Sequence, residues 1–212
     1  MAMDRAPDLA RNIWIGVSAL ALAWAGAAQA LPVWSGNAQV TPGQGQPTIR
    51  VLGPDLITVD TNSARTIIDW TSFDLAQGET VSFALATNGM IVLNRVTSGP
   101  ININGTISSA RSAGFPLDQP ATAGGSVWFY SPQGVVFGPT ARFVGGAMLA
   151  TSAAVNTTQF LNQSFSIDFT GSGSGGPVTA AAGSSFTARG HLALVAPVVS
   201  TAPGSVFNAG DY

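Results

Sequence analysis

The sequence predicts an all-β fold of solenoid type, in which short strands coil repeatedly around one core. Two observations carry this. After residue 30 the chain is built from short runs rich in Val, Ile, Thr and Phe, closed by Gly, Pro, Asn or Ser. That is the punctuation of strands rather than helices. In addition, ARFVGG (Ala141–Gly146), SSFTARG (Ser184–Gly190) and SVFNAG (Ser205–Gly210) each set a phenylalanine among small residues and close on glycine. Phe143, Phe165, Phe186 and Phe207 are 22, 21 and 21 positions apart. A period just above twenty returns a chain to the same lateral position one layer higher. The reading stacks these four rings up one inner face, about 4.8 Å apart.

The first thirty residues stand apart from the fold. Arg5 and Arg11 flank a short polar start, and Ile13–Gly26 (IWIGVSALALAWAG) is uninterruptedly apolar or small. Ala28-Gln29-Ala30 then supplies the small-x-small pattern of a signal-peptidase site, with cleavage after Ala30. The run is short for a hydrocarbon layer of ~30 Å, so residues 1–30 read as a cleaved secretory signal and no stable membrane insertion is expected.

Residues 31–212 read as one domain. Within it, 31–53 is rich in Pro, Gly and Gln and reads as a β cap over the first coil, whose edge would otherwise be unpaired. Residues 54–212 read as coils, with strands in TIIDW (Thr66–Trp70), TVSFAL (Thr80–Leu85), MIVLNRV (Met90–Val96), ININGTI (Ile101–Ile107) and LALVAPVV (Leu192–Val199). RSAGFPLDQPATAGG (Arg111–Gly125) holds two prolines and no alternation, and reads as a loop thrown out between coils. GSGSGGP (Gly171–Pro177) reads as a corner within one coil, because the Phe165–Phe186 interval stays at 21. In SVWFYSPQGVVFG (Ser126–Gly138), Pro132 and Gly134 read as a corner between two strands.

Composition excludes several classes. From Leu31 onward there are six Arg and no Lys against seven Asp and one Glu. Nucleic-acid binding needs a basic stripe to displace counterions, and a membrane-surface helix needs a Lys/Arg-rich face; neither is present. The chain has no cysteine, so an exported fold must rest on packing and backbone pairing without disulfides.

Few residues carry catalytic promise. Gly171-x-Gly173-x-x-Gly176 matches the dinucleotide pattern, but Pro177 and a small-residue strand follow where a helix is required. His191 is the single histidine, and no spaced ligand set for zinc exists around it. No G-x-S-x-G elbow accompanies it. Solenoid lyases and hydrolases of polysaccharides need carboxylates gathered on one lateral face. Asp60, Asp69, Asp74, Asp118 and Asp168, with His191, are the candidates for that alternative. Asp69, between Ile68 and Trp70, has the position of the outward half of an alternating strand. No cofactor, metal or catalytic residue is assigned.

Three ordered segments carry a resemblance: IIDWTSFDLAQGETVSF (Ile67–Phe83), IVLNRVTSGPININGTISS (Ile91–Ser109) and VWFYSPQGVVFGPTARFVGGAMLATS (Val127–Ser152). Together they resemble the N-terminal secretion domain of filamentous-haemagglutinin-type exoproteins, the haemagglutination-activity domain of two-partner secretion in Gram-negative bacteria. The resemblance spans about Pro54–Val155, and GHLALVAPVV (Gly190–Val199) is similar to later coils of that family. It implies a right-handed parallel β-helix, in agreement with the period. It also implies export through the periplasm and recognition, unfolded, by the POTRA domains of an outer-membrane β-barrel transporter. Folding then takes place at the cell surface, as the start of an adhesin that meets host or neighbouring-cell receptors or glycans. A structural surface or biofilm-matrix protein is a further alternative. The family's two asparagine motifs fall on Leu93-Asn94-Arg95-Val96 and on Ser131-Pro132-Gln133-Gly134-Val135. The resemblance assigns transporter recognition to Asn94, Arg95, Ser131, Pro132, Gln133 and Gly134, while Asn94 and Arg95 have the alternative role of closing a turn. Ser131 and Gln133 stand where the family has asparagines.

Overall fold

The computed structural model describes residues 31–110, 124–163 and 175–210. The signal segment with Ala28 and Ala30, most of the loop at 111–125, and Phe165 lie outside the described residues.

Strands β1 (Val33–Val40) and β2 (Thr48–Val51) come first, and β3 (Leu56–Thr61) leads into the coils. The first coil is β4 (Arg65–Ser72), β5 (Asp74–Leu75) and β6 (Thr80–Leu85). The second is β7 (Ile91–Val96), β8 (Ile101–Ile103) and β9 (Thr106–Ala110). The third is β10 (Ser126–Tyr130), β11 (Val135–Phe137) and β12 (Arg142–Gly145). The fourth is β13 (Ala147–Thr151), a short helix α1 (Thr157–Leu161), β14 (Val178–Ala180) and β15 (Ser185–Ala188). The fifth is β16 (Leu192–Val195), β17 (Val199–Thr201) and β18 (Val206–Ala209).

Each coil gives one strand to each of three sheets. The first face runs β1-β4-β7-β10-β13-β16, the second β5-β8-β11-β14-β17, and the third β2-β3-β6-β9-β12-β15-β18. Every pairing between coils is parallel. The two exceptions are at the start, where β1 pairs antiparallel with β4 and β2 antiparallel with β3. The chain is a parallel β-helix with an N-terminal β cap.

Alternation decides which side chains enter the core. On the third face Ile57, Val81, Ile107, Phe143, Phe186 and Phe207 are register partners in successive layers. All but Phe207 are buried, and Phe207 is 37% exposed. Phe143, Phe186 and Phe207 thus occupy successive layers of one column. Phe143 and Phe186 are in adjacent layers although 43 positions separate them. Only the step from Phe186 to Phe207 is a bare 21-residue coil, and there the rings stack at 4.7 Å and 12°. The physical reason is that 26 residues, 152–177, join β13 to β14 at that corner, more than a bare coil contains. Gly176 and Pro177 rejoin the stack one layer above the Ser131–Gly134 corner, through Gly176 N–H to the Pro132 carbonyl (2.8 Å) and Val135 N–H to the Pro177 carbonyl (3.1 Å). They close an excursion, where the sequence reading had a simple corner.

A second aromatic arrangement crosses the core from face to face. Trp70, Phe73, Phe129, Phe137 and Phe186 make successive edge contacts, with ring centroids 5.2, 5.3, 6.5 and 4.9 Å apart. Edge-to-face geometry lets the positive ring rim meet a neighbouring π cloud, which adds to the area buried.

Truncation of a fully buried core phenylalanine removes transfer free energy and leaves a cavity. Phe186→Ala is expected to destabilise by about 3–5 kcal/mol, and Phe207→Ala by clearly less because that ring is partly solvated. Equilibrium urea unfolding measures both, and equal midpoint shifts would contradict this placement.

Candidate functional site

The motif residues occupy two neighbouring places: strand β7 on the first face, and the corner that follows β10. Asn94 and Arg95 lie inside β7, where the turn-closing alternative had them in a turn. They point in opposite directions, since consecutive strand side chains do.

Asn94 points into the core and is 0% exposed. Its Oδ1 accepts a hydrogen bond from the Trp70 indole Nε1–H at 3.0 Å, and its Nδ2 donates to the Trp128 carbonyl at 3.2 Å. The indole is a donor only, so it fixes which end of the amide faces it. Asn94 thus joins the first, second and third coils through one side chain. An amide buried without such partners would be penalised by its full desolvation, about 1–3 kcal/mol.

Arg95 points outward and lies opposite Asp69 in register. Its Nε donates to Asp69 Oδ1 at 2.5 Å and its Nη2 to Oδ2 at 2.9 Å, a two-pronged fork. The cap contacts the same residue twice, by Asn37 Nδ2 to Asp69 Oδ2 and by Ser35 Oγ to the Asp69 carbonyl at 2.6 Å. The hydrogen bond to Asp69 raises the Arg95 pKa above its usual value; burial opposes this, and the charge of Asp69 and then Tyr130 reinforce it. The sign follows directly. A raised basic pKa gives a contribution that is present at neutral pH and is lost in strong alkali as the guanidinium deprotonates.

At the corner, Ser131 is also fully buried. Its hydroxyl donates to the Gly99 carbonyl at 2.6 Å and accepts from the Gln133 N–H at 3.0 Å. One short side chain therefore binds the layer below and shapes the turn, although it stands at an asparagine position of the resembled family. Gly134 closes the turn by N–H to the Ser131 carbonyl, 3.0 Å, at a φ of +106°. A Cβ there would sit 2.4 Å from the Pro177 carbonyl oxygen. Pro132 is half-buried and Gln133 exposed.

The outer side of the first face carries a second apolar cluster. Ile67, Leu93, Trp128 and Leu149 are register neighbours there, and Phe160 of α1 packs on them with its ring 5.6 Å from Trp128. Asn156 caps that helix by accepting from the Gln159 N–H at 3.0 Å. Nothing in the sequence reading identified this cover, nor Trp70 as the partner of Asn94.

The carboxylates needed for a polysaccharide lyase or hydrolase are dispersed. Asp60 is on the third face and paired to Arg50 at 2.8 Å, and Asp69 is on the first face in the fork just described. Asp74 is on the second face, accepting from Asn102 Nδ2 at 2.7 Å. Asp118 and Asp168 lie outside the described residues. His191 is exposed, in a shallow groove with Asn88, Ser126 and Arg189. Among the described residues no three of His, Cys, Asp and Glu converge as metal ligands.

These features define a class: a parallel β-helix closed at one end by antiparallel strands, with its motif side chains turned into or against its own coils. A family model described as the TPS secretion domain matches residues 38–209. The chain belongs to this family, the secretion domains of two-partner secretion exoproteins. Membership implies export across the periplasm with an outer-membrane transporter as partner. Among solved structures, the crystal structure of the HMW1 secretion domain from Haemophilus influenzae is similar in fold, with a TM-score of 0.56 at 20% identity. The match covers 82% of this chain and 44% of that one, so the chain spans less than half of that structure. A search of curated proteins yields no match.

The corner offers a contrast between neighbours. Gly134→Ala is expected to cost about 1–3 kcal/mol through its backbone conformation, with the Pro177 contact adding to it. Gln133→Ala, on an exposed side chain, should stay within about 0.5 kcal/mol of wild type. Thermal or urea unfolding of both variants checks this, and a larger loss for Gln133→Ala would refute the assignment.

Proposed function

We propose that this chain is the targeting domain of a two-partner exoprotein and that the transporter reads it before it folds. Residues 1–30 serve as the signal peptide, cleaved after Ala30. The remainder crosses the periplasm unfolded, meets the POTRA domains of an outer-membrane β-barrel, and forms its coils at the cell surface. The observation that carries this reading is burial: Asn94 and Ser131 are both 0% exposed and fully engaged with their own coils. Segments whose motif side chains are so enclosed are open to a partner only while the chain is extended. An extended segment can add as a strand to a sheet edge of the partner, which is a common mode of peptide recognition.

The physics of export is compatible. Absence of cysteine means that no disulfide can lock the chain on the wrong side of the membrane. A solenoid gains its stability layer by layer, so coils can form progressively as the chain emerges. The domain is a non-enzymatic start to a surface protein of adhesin type, in a Gram-negative bacterium, whose receptors or glycans are met by other parts of the exoprotein.

The test is release into the medium by cells with and without the cognate transporter. The expected outcome is release only with the transporter and retention of signal-cleaved chain in the periplasm without it. Equal release in both strains would overturn the reading.

A further inference from the structure

Five identical-looking layers of apolar rungs present a registration problem. Val, Ile, Leu and Phe rungs are interchangeable between layers, and a strand displaced by two residues keeps the same face inward. Apolar packing alone therefore does not tell β7 which residue of β4 to meet, whereas a buried amide and a forked ion pair are satisfied in one arrangement only.

Asn94 and Arg95 are consecutive, and between them they reach four successive levels of the structure. Arg95 grips Asp69, which is itself held by Asn37 and Ser35 of the cap. Asn94 takes the indole of Trp70 in the first coil and gives its amide to the Trp128 carbonyl in the third. All three direct partners, Asp69, Trp70 and Trp128, are on the first face, the sheet that begins with the cap strand. One dipeptide therefore fixes cap, first, second and third coils relative to one another, from both sides of the sheet.

We propose that the Asn94–Arg95 step is the registration point on which folding of the exported domain starts, and that its contribution to secretion is made outside the membrane, after transporter recognition. The inference rests on the proposed export of an unfolded chain, and it gives these two residues a different task from the recognition that the family resemblance assigns them. They are positioning residues. Until Trp128 emerges, the Asn94 amide lacks one partner; once it does, the cap and three coils are tied and later coils have a template. Because the bonds form early, their removal should slow folding more than it speeds unfolding.

The experiment follows the full chain by pulse-chase in cells carrying the transporter, with crosslinking to count free periplasmic, transporter-engaged and released pools. Asn94→Ala and Asp69→Ala are expected to accumulate in the engaged pool, and the released pool falls about tenfold. Phe186→Ala, a core truncation in the fourth coil, should leave the engaged pool near wild type, which a merely destabilising effect would not do. Purified Asn94→Ala should refold from urea about tenfold more slowly than wild type. Should Asn94→Ala fail to fold, Arg95→Lys, which keeps the charge and loses the fork, is expected to refold more slowly than wild type, and refolding at the wild-type rate would overturn the inference. Accumulation of Asn94→Ala in the free periplasmic pool would overturn the inference, as would an equal rise of engaged chain in Phe186→Ala. Release of the wild-type chain from cells without the transporter is a separate result, which strikes the proposed function.

Discussion

Everything in this domain is subordinate to the height of one layer. Parallel strands pair about 4.8 Å apart, and each coil must place three strands, three corners and all its inward side chains within that thickness. Large rings meet the constraint in two ways: Phe186 and Phe207 lie flat upon each other within a column, while Trp70, Phe73, Phe129, Phe137 and Phe186 lock edge to face across the core. The corners meet it by closeness of backbones. Gly134 passes so near Pro177 that no side chain fits, and Ser131 ties its turn to the layer below through one hydroxyl.

The layered constraint also explains which parts of the structure were legible in the sequence. Strand runs, Gly/Pro corners and the solenoid class follow from local alternation and punctuation, and those were readable. The phenylalanine spacing pointed to the right architecture partly by coincidence, because the connection between β13 and β14, longer than a coil, lies between Phe143 and Phe186 and imitates one additional period. Length alone does not distinguish an inserted loop from a coil. Asp69 was legible as an outward residue, since Ile68 and Trp70 on either side are apolar and buried.

The site was less legible. The run Met90–Val96 was readable as a strand, but not that partners from two other coils satisfy Asn94 and Arg95 within it. Those partners lie 24 to 34 positions away along the chain for Asn94, and no local pattern announces them. Ser131 was marked as a departure from the resembled motif. In the structure its hydroxyl provides an acceptor for the turn and a donor for the layer below, so the corner keeps its shape without the amide. Phe160 was unreadable for a related reason: a five-residue helix has too little periodicity to show which stripe it covers.

The reversed strands at the beginning have a wider consequence. A stack of parallel coils is in principle a fibre unit, because either end can receive another layer of the same kind. Here β1 and β2 run against their neighbours, and β1 is further broken by register shifts between Val33 and Asn37. An irregular, reversed edge is a poor template for a parallel newcomer. The molecule consequently has a polarity, and elongation into open-ended aggregates is blocked from that side.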